Sequence, residues 1–203
     1  MIQLEVLVEE ASAEEALRHL LPRVLGCRAR AKVINLGSKY KLLKALDHRL
    51  RAYRIRIDKG EDLRVMVLVD RDDDDCCRLK AKLERAATHA GLPTKSRPGN
   101  HRVRVVNRIV VEELESWFVG DPAALRKAFT KLPAIDAARG MFRNPDHGGS
   151  WEALHRFLKK HGIYKNSYPK IEAARRIAPH MRIDQNRSAS FRQFVAGIEA
   201  ILA

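Results

Sequence analysis

Arg64-Val65-Met66-Val67-Leu68-Val69-Asp70-Arg71-Asp72 is the stretch that decides the fold. Residues 65 to 69 are apolar without a break, so a strand made from them is covered on both faces, as strands of parallel sheets are. The run stops at Asp70. An acid at the carboxyl end of a buried strand lies where open parallel sheets gather their ligands.

The flanking sequence supports this reading. Upstream, Ile2 to Val8 alternates as a strand, with Leu7 breaking strict polarity. Ser12 stands where a helix N-cap belongs, with Glu15 completing a capping box, and Ala16, Leu17, Leu20, Leu21 and Val24 line one helical face. A second strand is predicted over Ala31 to Leu36. Ser38 then caps a long helix that runs through Tyr40, Leu42, Leu43, Leu46 and Leu50, with Lys39, Lys41, Lys44, Arg49 and Arg51 on its outer face. Downstream, a helix is expected from about Asp74 to Ala90, ended by Gly91 and Pro93, and a fourth strand over Val103 to Val111. A short helix follows around Glu112 to Phe118, and then helices alone: near Pro122 to Phe129, Trp151 to His161, Lys170 to His180 and Ser190 to Leu202. The expected architecture is an α/β domain over residues 1–120, with a mainly parallel sheet of about four strands flanked by helices. A helical C-terminal extension over 121–203 packs on it, separately or as one continuous domain.

Composition narrows the class. The chain has 203 residues, 39 Lys plus Arg against 25 Asp plus Glu, and a formal charge of +14. Its hydrophobic content of 45% excludes a disordered chain. No apolar run approaches the ~18 residues of a membrane span, and Met1 opens directly into a strand instead of a leader, so a cytoplasmic protein with no membrane association is expected. Of three cysteines, Cys76 and Cys77 are adjacent, which leaves neither a disulfide framework nor a CxxC zinc spacing. The positive charge points to a polyanion, most often nucleic acid.

The charge is unevenly distributed. Residues 16 to 56 hold twelve basic residues and one acid, Asp47, and residues 121 to 203 hold fifteen basic and seven acidic residues. Most other acids fall in three runs: Glu9, Glu10, Glu14 and Glu15; Asp70 and Asp72 to Asp75; and Glu112, Glu113 and Glu115. Asp74 and Asp75 read as helix caps and Glu14 and Glu15 as first-turn acids. Glu9 and Asp70 end strands and can meet over one sheet edge, where their repulsion is relieved by a cation. A few carboxylates with room for water and phosphate suit Mg²⁺, or Mn²⁺. In an extended segment Asp70 and Asp72 point the same way and can share one metal while Arg71 points elsewhere.

Val8-Glu9-Glu10-Ala11-Ser12, followed by Val69-Asp70-Arg71-Asp72 after a strand, a helix and a further strand, resembles a TOPRIM domain, the Mg²⁺ module of topoisomerases and primases. The chain is similar to the bacterial family of domain of unknown function 4276, itself similar to the nuclease module of overcoming-lysogenization-defect proteins. The likeness extends to Val111-Glu112-Glu113-Leu114-Glu115-Ser116-Trp117, Asp121, Tyr168-Pro169-Lys170 and Asn186-Arg187-Ser188-Ala189-Ser190-Phe191. It implies a Mg²⁺-dependent nuclease acting on DNA or RNA, in phage defence or repair, with a protein partner encoded nearby. Glu9, Asp70 and Asp72 would hold the metal. Glu113, with Glu115, would supply a second metal or a general base, although residues two apart on a helix diverge by ~200°. Lys170 would neutralise charge on the phosphate, or is one more cation on a basic helix. Lys39, Lys41, Lys44 and Arg51 would track the nucleic-acid backbone without reading sequence. Asn186 and Arg187 would tie down the last helix or touch phosphate.

Two positions depart from the family pattern. Glu10 replaces a glycine, and the second acid falls on Ala13, with Glu14 one place along. A second reading therefore stays open: a catalytically impaired nucleic-acid-binding or partner subunit. Primase-like nucleotidyl transfer is a third, without a P-loop to support it. The histidines, among them His101, His147, His155 and His161, show no ligand spacing, and Trp117 reads as a core anchor.

Overall fold

The structure, a computed structural model, describes residues 1–98, 102–111 and 113–203. The expectations for His101 and Glu112 lie outside the described residues. Four parallel strands, β1 (Ile2–Val8), β2 (Ala29–Asn35), β3 (Leu63–Asp70) and β4 (Val105–Val110), form one sheet in the order β2-β1-β3-β4. From β1 the chain moves outward to β2, then returns across β1 to β3 and proceeds the other way to β4. The strand order thus reverses between β1 and β3, and in such sheets the crevice beyond the carboxyl ends at this point is the customary ligand site.

Strand pleating explains the apolar run. Leu4, Val6, Val8, Met66, Leu68, Val106 and Val110 face one layer of helices, while Leu7, Val65, Val67, Val69 and Val105 face the other. The second layer is α2 (Lys39–Asp58) and α3 (Cys76–His89), which contribute Leu42, Leu46, Leu50, Tyr53, Leu79 and Leu83. The first layer holds α1 (Ala11–Leu25), α4 (Glu115–Val119), α5 (Pro122–Ala128), α6 (Ser150–Lys160), α7 (Lys170–Ile177) and α8 (Ala189–Leu202), with single 3₁₀ turns at Gly140–Phe142 and Ala178–His180. Trp117, Phe191, Phe194 and Ile198 lie in the same buried cluster as Leu4 and Met66, so the C-terminal helices complete the sheet's core. Trp117 is fully buried, its indole donating to the Ser190 hydroxyl at 3.1 Å. Among the described residues no helix is long and apolar enough to cross a membrane.

Several local expectations need correction. Ser12 does not cap α1. The N-cap is Glu10, in extended conformation, and the Ser12 hydroxyl donates instead to the Glu10 carboxylate. Ser38 does cap α2, accepting from the Lys41 N–H. Tyr40 was grouped with the leucines but is 72% exposed, because it stands ~200° from Leu42 around the helix. At α3 the cap is Asp75, which accepts from the Arg78 N–H at 2.7 Å, leaving Asp74 free for another partner. α4 begins at Glu115, so Glu113 precedes the helix and the 200° divergence does not apply to the pair.

Asn186 and Arg187 act structurally. The Asn186 side chain donates to the Trp117 carbonyl at 2.8 Å and accepts from the Ser188 N–H at 2.9 Å, and the Arg187 N–H donates to the Gly120 carbonyl at 2.9 Å. The Arg187 guanidinium donates to the Ala137 carbonyl. Asp121 caps α5 through the Ala124 N–H and also accepts from the Arg182 N–H. This joint leaves no space at Gly120, where an added Cβ would stand 2.2 Å from Asn186 Oδ1 and 2.8 Å from the Ser188 nitrogen. Gly120→Ala is therefore expected to destabilise the protein by about 1–3 kcal/mol, seen as a lower urea midpoint with an unchanged slope. A midpoint equal to wild type would show that this joint does not constrain the fold.

Candidate functional site

Parallel pairing sets Leu7 opposite Val67, which brings the segments following β1 and β3 side by side. Glu9, immediately after β1, is buried, and its Oε1 accepts the Asp70 N–H at 2.5 Å. Burial raises the Glu9 carboxyl above its ordinary range; the Asp70 N–H and the Lys39 charge oppose that rise. Asp70, the last residue of β3, is pushed well above the usual aspartate range. Burial is the main cause, and the neighbouring charges of Glu9, Glu10, Glu115 and Asp72 add to it.

Glu115 enters from the start of α4. It is fully buried, and neither carboxylate oxygen makes a well-formed hydrogen bond, although the Tyr168 hydroxyl lies against it. Burial pushes it up to about 7, against the pull of Lys170. Glu113 is half-buried with Oε2 unpartnered; burial raises it, Lys170 lowers it, and Glu152 of α6 adds repulsion. Lys170 opens α7 and is the counter-charge. Its Nζ lies 3.9 Å from Glu10 Oε1, and Glu115, Glu10, Glu113 and Asp70 together overcome its desolvation and hold it protonated. α7 is tied to α1 by the Arg175 guanidinium, which donates to Glu15 Oε1 at 2.9 Å.

Glu9, Asp70, Glu113 and Lys170 thus fall in one neighbourhood. Asp72 does not align with Asp70. The extended backbone ends at Asp70, Asp72 adopts a left-handed conformation at φ 48°, and its carboxylate is held by Lys39 Nζ at 2.6 Å. The same ammonium reaches Asp74 at 2.9 Å and the Arg71 carbonyl at 3.0 Å. Lys39, expected on the outer face of α2, is therefore turned toward the acidic loop, whereas Lys41, Lys44 and Arg51 are exposed. Ala13 is buried in the core, and Glu14, one place along, pairs with Arg18 at 3.5 Å. Glu10 is the additional acid that stands beside Lys170.

Glu152 and Tyr168 had no assigned role in the sequence reading. Glu152 Oε2 is buried without a hydrogen-bond partner, and the buried Tyr168 hydroxyl, which lies against Glu115 without a well-formed hydrogen bond, lines a 590 Å³ cleft with Glu10, Ser12, Lys170 and Arg175. A lone acid on an amphipathic helix carries no spacing signal, and the Tyr168-Pro169-Lys170 motif marked Tyr168 only as a point of family likeness, without a role. Among the described residues no three His, Cys, Asp or Glu side chains form a ready-made cage for a metal ion. The arrangement is an open cluster of mutually repelling carboxylates, with two ammonium groups at its rim.

The chain belongs to the family described as domain of unknown function (DUF4276), whose model matches residues 8–199. Comparison with curated proteins gives no match. Comparison with solved structures likewise gives none.

Glu115 supplies a pH test. Its folded-state value of about 7 exceeds the ordinary 4.5, so folding binds its proton more tightly. The stability this contributes is fully present below about pH 4.5 and lost as pH rises through 7; beyond that the ionised, buried carboxylate costs roughly 3 kcal/mol. In EDTA, Glu115→Gln is expected to unfold at higher urea than wild type at pH 8, with the gap closing at pH 5. An equal gap at both pH values would contradict this assignment.

Proposed function

We propose that the protein is a Mg²⁺- or Mn²⁺-dependent nuclease that hydrolyses phosphodiesters of DNA or RNA. One observation carries the reading: an otherwise basic chain gathers Glu9, Asp70, Glu113 and Glu115 where the strand order reverses, with carboxylate oxygens left unpartnered. Such a cluster is costly without a cation, and the TOPRIM resemblance would make Glu9 and Asp70 ligands of one. The residues fit a divalent ion of the kind that takes one or two carboxylates and fills its remaining positions with water and phosphate, which needs no closed cage. Glu9 and Asp70 would hold it, joined by Asp72 once that carboxylate leaves Lys39, and by Glu113 from the other side. Bound there, the ion supplies polarisation of a phosphoryl oxygen and acidification of the attacking water. Lys170 places a fixed positive charge where negative charge grows on the phosphate. Glu113 and Glu115 are positioned to accept a proton in a partly water-excluded site. Lys41, Lys44 and Arg51 would hold the nucleic-acid backbone.

The second reading, a binding or partner subunit without catalysis, is favoured by one feature: Lys39 already neutralises Asp72, and Ala13 supplies no acid. Metal-dependent cleavage of labelled single- and double-stranded substrates separates the two. Wild type is expected to cut in Mg²⁺ or Mn²⁺, and Asp70→Asn to lose at least a hundredfold in rate, roughly 2.7 kcal/mol of barrier, while keeping nucleic-acid affinity. If wild type and Asp70→Asn both fail to cut yet bind equally well, the nuclease reading falls. Lys39 gives an independent check. Removing its charge from beside the carboxylates in Lys39→Met should tighten Mn²⁺ binding about tenfold by calorimetry at low salt. Unchanged or weaker binding would mean that the ion does not sit beside the carboxylates that Lys39 faces.

A further inference from the structure

The outward face of α2 carries a feature that packing does not explain. Tyr40 is a large apolar ring left 72% exposed, one residue from Lys39, whose ammonium grips the loop after β3. The Lys44 Nζ lies 5.8 Å from the Tyr40 ring centroid, within cation–π range. At 100° per residue, Lys44, Arg51 and Ile55 fall within about 60° of Tyr40, and Lys41 flanks them at about 100°. These positions make a stripe about 22 Å long at 1.5 Å per residue. Lys41, Lys44, Arg51 and Ile55 are all exposed on it, and Asp47 is its one acid among positions 40 to 55. On the buried side Leu42, Leu46 and Leu50 complete the packing without Tyr40.

An exposed aromatic flanked by lysines, at the end of a helix anchored to a cluster of carboxylates, has the composition of a stacking platform on a phosphate track. We propose that Tyr40, with Lys41 and Lys44, selects single-stranded nucleic acid: one unpaired base stacks on the Tyr40 ring and the following phosphates run along α2 over Lys44 and Arg51. Inside a duplex the base faces are covered by their neighbours, so the ring discriminates between strands and not among sequences. The lysines attract either form, whereas the ring rewards only the unpaired one. This inference rests on the nucleic-acid part of the function proposed above and names the strandedness of its ligand. It does not depend on catalysis.

The test is fluorescence anisotropy in EDTA, where no cleavage occurs, with end-labelled 20-nucleotide single strands of DNA and RNA and a blunt DNA duplex. Tyr40→Ala is expected to weaken single-strand binding about tenfold and duplex binding less than twofold. Tyr40→Trp and Tyr40→Phe retain single-strand affinity, which separates loss of the ring from loss of the hydroxyl. Because Tyr40 is exposed, the Tyr40→Ala melting temperature should equal that of wild type. Lys41→Ala/Lys44→Ala weakens both ligands together. The proposal is overturned if Tyr40→Ala binds single strands within twofold of wild type, if it loses single strand and duplex equally, or if wild type binds neither. The two readings fail separately. Loss of selective binding with metal-dependent cutting intact removes only the stacking platform, and selective binding without any cleavage removes only the nuclease.

Discussion

The pairing of β1 with β3 is the constraint on which the rest depends. Every later feature of the site follows from two parallel strands lying side by side with Leu7 opposite Val67. The pairing is stabilised by side chains buried on both faces, Leu4, Val6 and Val8 on one and Val65, Val67 and Val69 on the other. Its carboxyl end then brings Glu9 and Asp70 together. The Glu9 carboxylate accepts the Asp70 N–H, a charge-assisted bond that fastens the acid cluster to the sheet itself. Apolar burial in the strands thus sustains a repulsive arrangement at their end, the usual balance between a stable scaffold and a strained site.

The C-terminal helices are part of the same balance. Lys170 is the cation that Glu10, Glu113, Glu115 and Asp70 share, and it arrives on α7, some hundred residues after β3. Its place is set by the Arg175–Glu15 bond and by the packing of Ala173, Ala174 and Ile177 into the core cluster that contains α1. The joint at Gly120, Trp117 and Asn186 in turn fixes α4, and so Glu115, against the segment leading into α8. A chain cut at residue 120 would expose Trp117 and strip the acids of Lys170. Division at that point is a convenience of the sequence pattern and does not follow a break in the core.

How much was legible follows from the range of each interaction. The strands and most helices were, because pleating and helical periodicity write burial into neighbouring residues: Val65 to Val69 needed no partner to be read as a doubly covered strand. Glu9 and Asp70 were legible for the same reason, as polar residues at the ends of apolar runs. The cap at Ser12, the alignment of Asp72 with Asp70 and the outward direction of Lys39 were not legible because each depends on one contact the pattern does not contain. Glu10 competes for the Ser12 hydroxyl, the left-handed turn at Asp72 breaks the alternation that a DxD spacing presumes, and Lys39 answers to the loop after β3 before it answers to its own helix. Glu152 was invisible, and Tyr168 stood in the family-like Tyr168-Pro169-Lys170 motif without a role, since only tertiary packing brings α6 and the 164–169 segment to the acids.

The net charge takes on a different meaning once these contacts are known. Much of the basic excess in residues 16 to 56 is used internally: Arg23 on the carbonyls of Ala178 and Met181, Arg28 on Glu199, Lys39 on Asp72 and Asp74, Arg56 on Glu5 and Glu61. Those cations fasten the sheet to the C-terminal helices and steady its acidic edge. The charge left for a ligand is smaller and more local than +14 suggests, and on α2 it is drawn out along one helical face beginning beside the carboxylates. On the function proposed above, a polyanion drawn to that face would meet Lys41, Lys44 and Arg51 on the exposed side of α2, beyond the end that Lys39 ties to the acidic loop. Lys39 is the exception that makes the division workable. One lysine reaches across and lowers the repulsion at Asp72 and Asp74, while its exposed neighbours are the charges that the proposed function would use on phosphate.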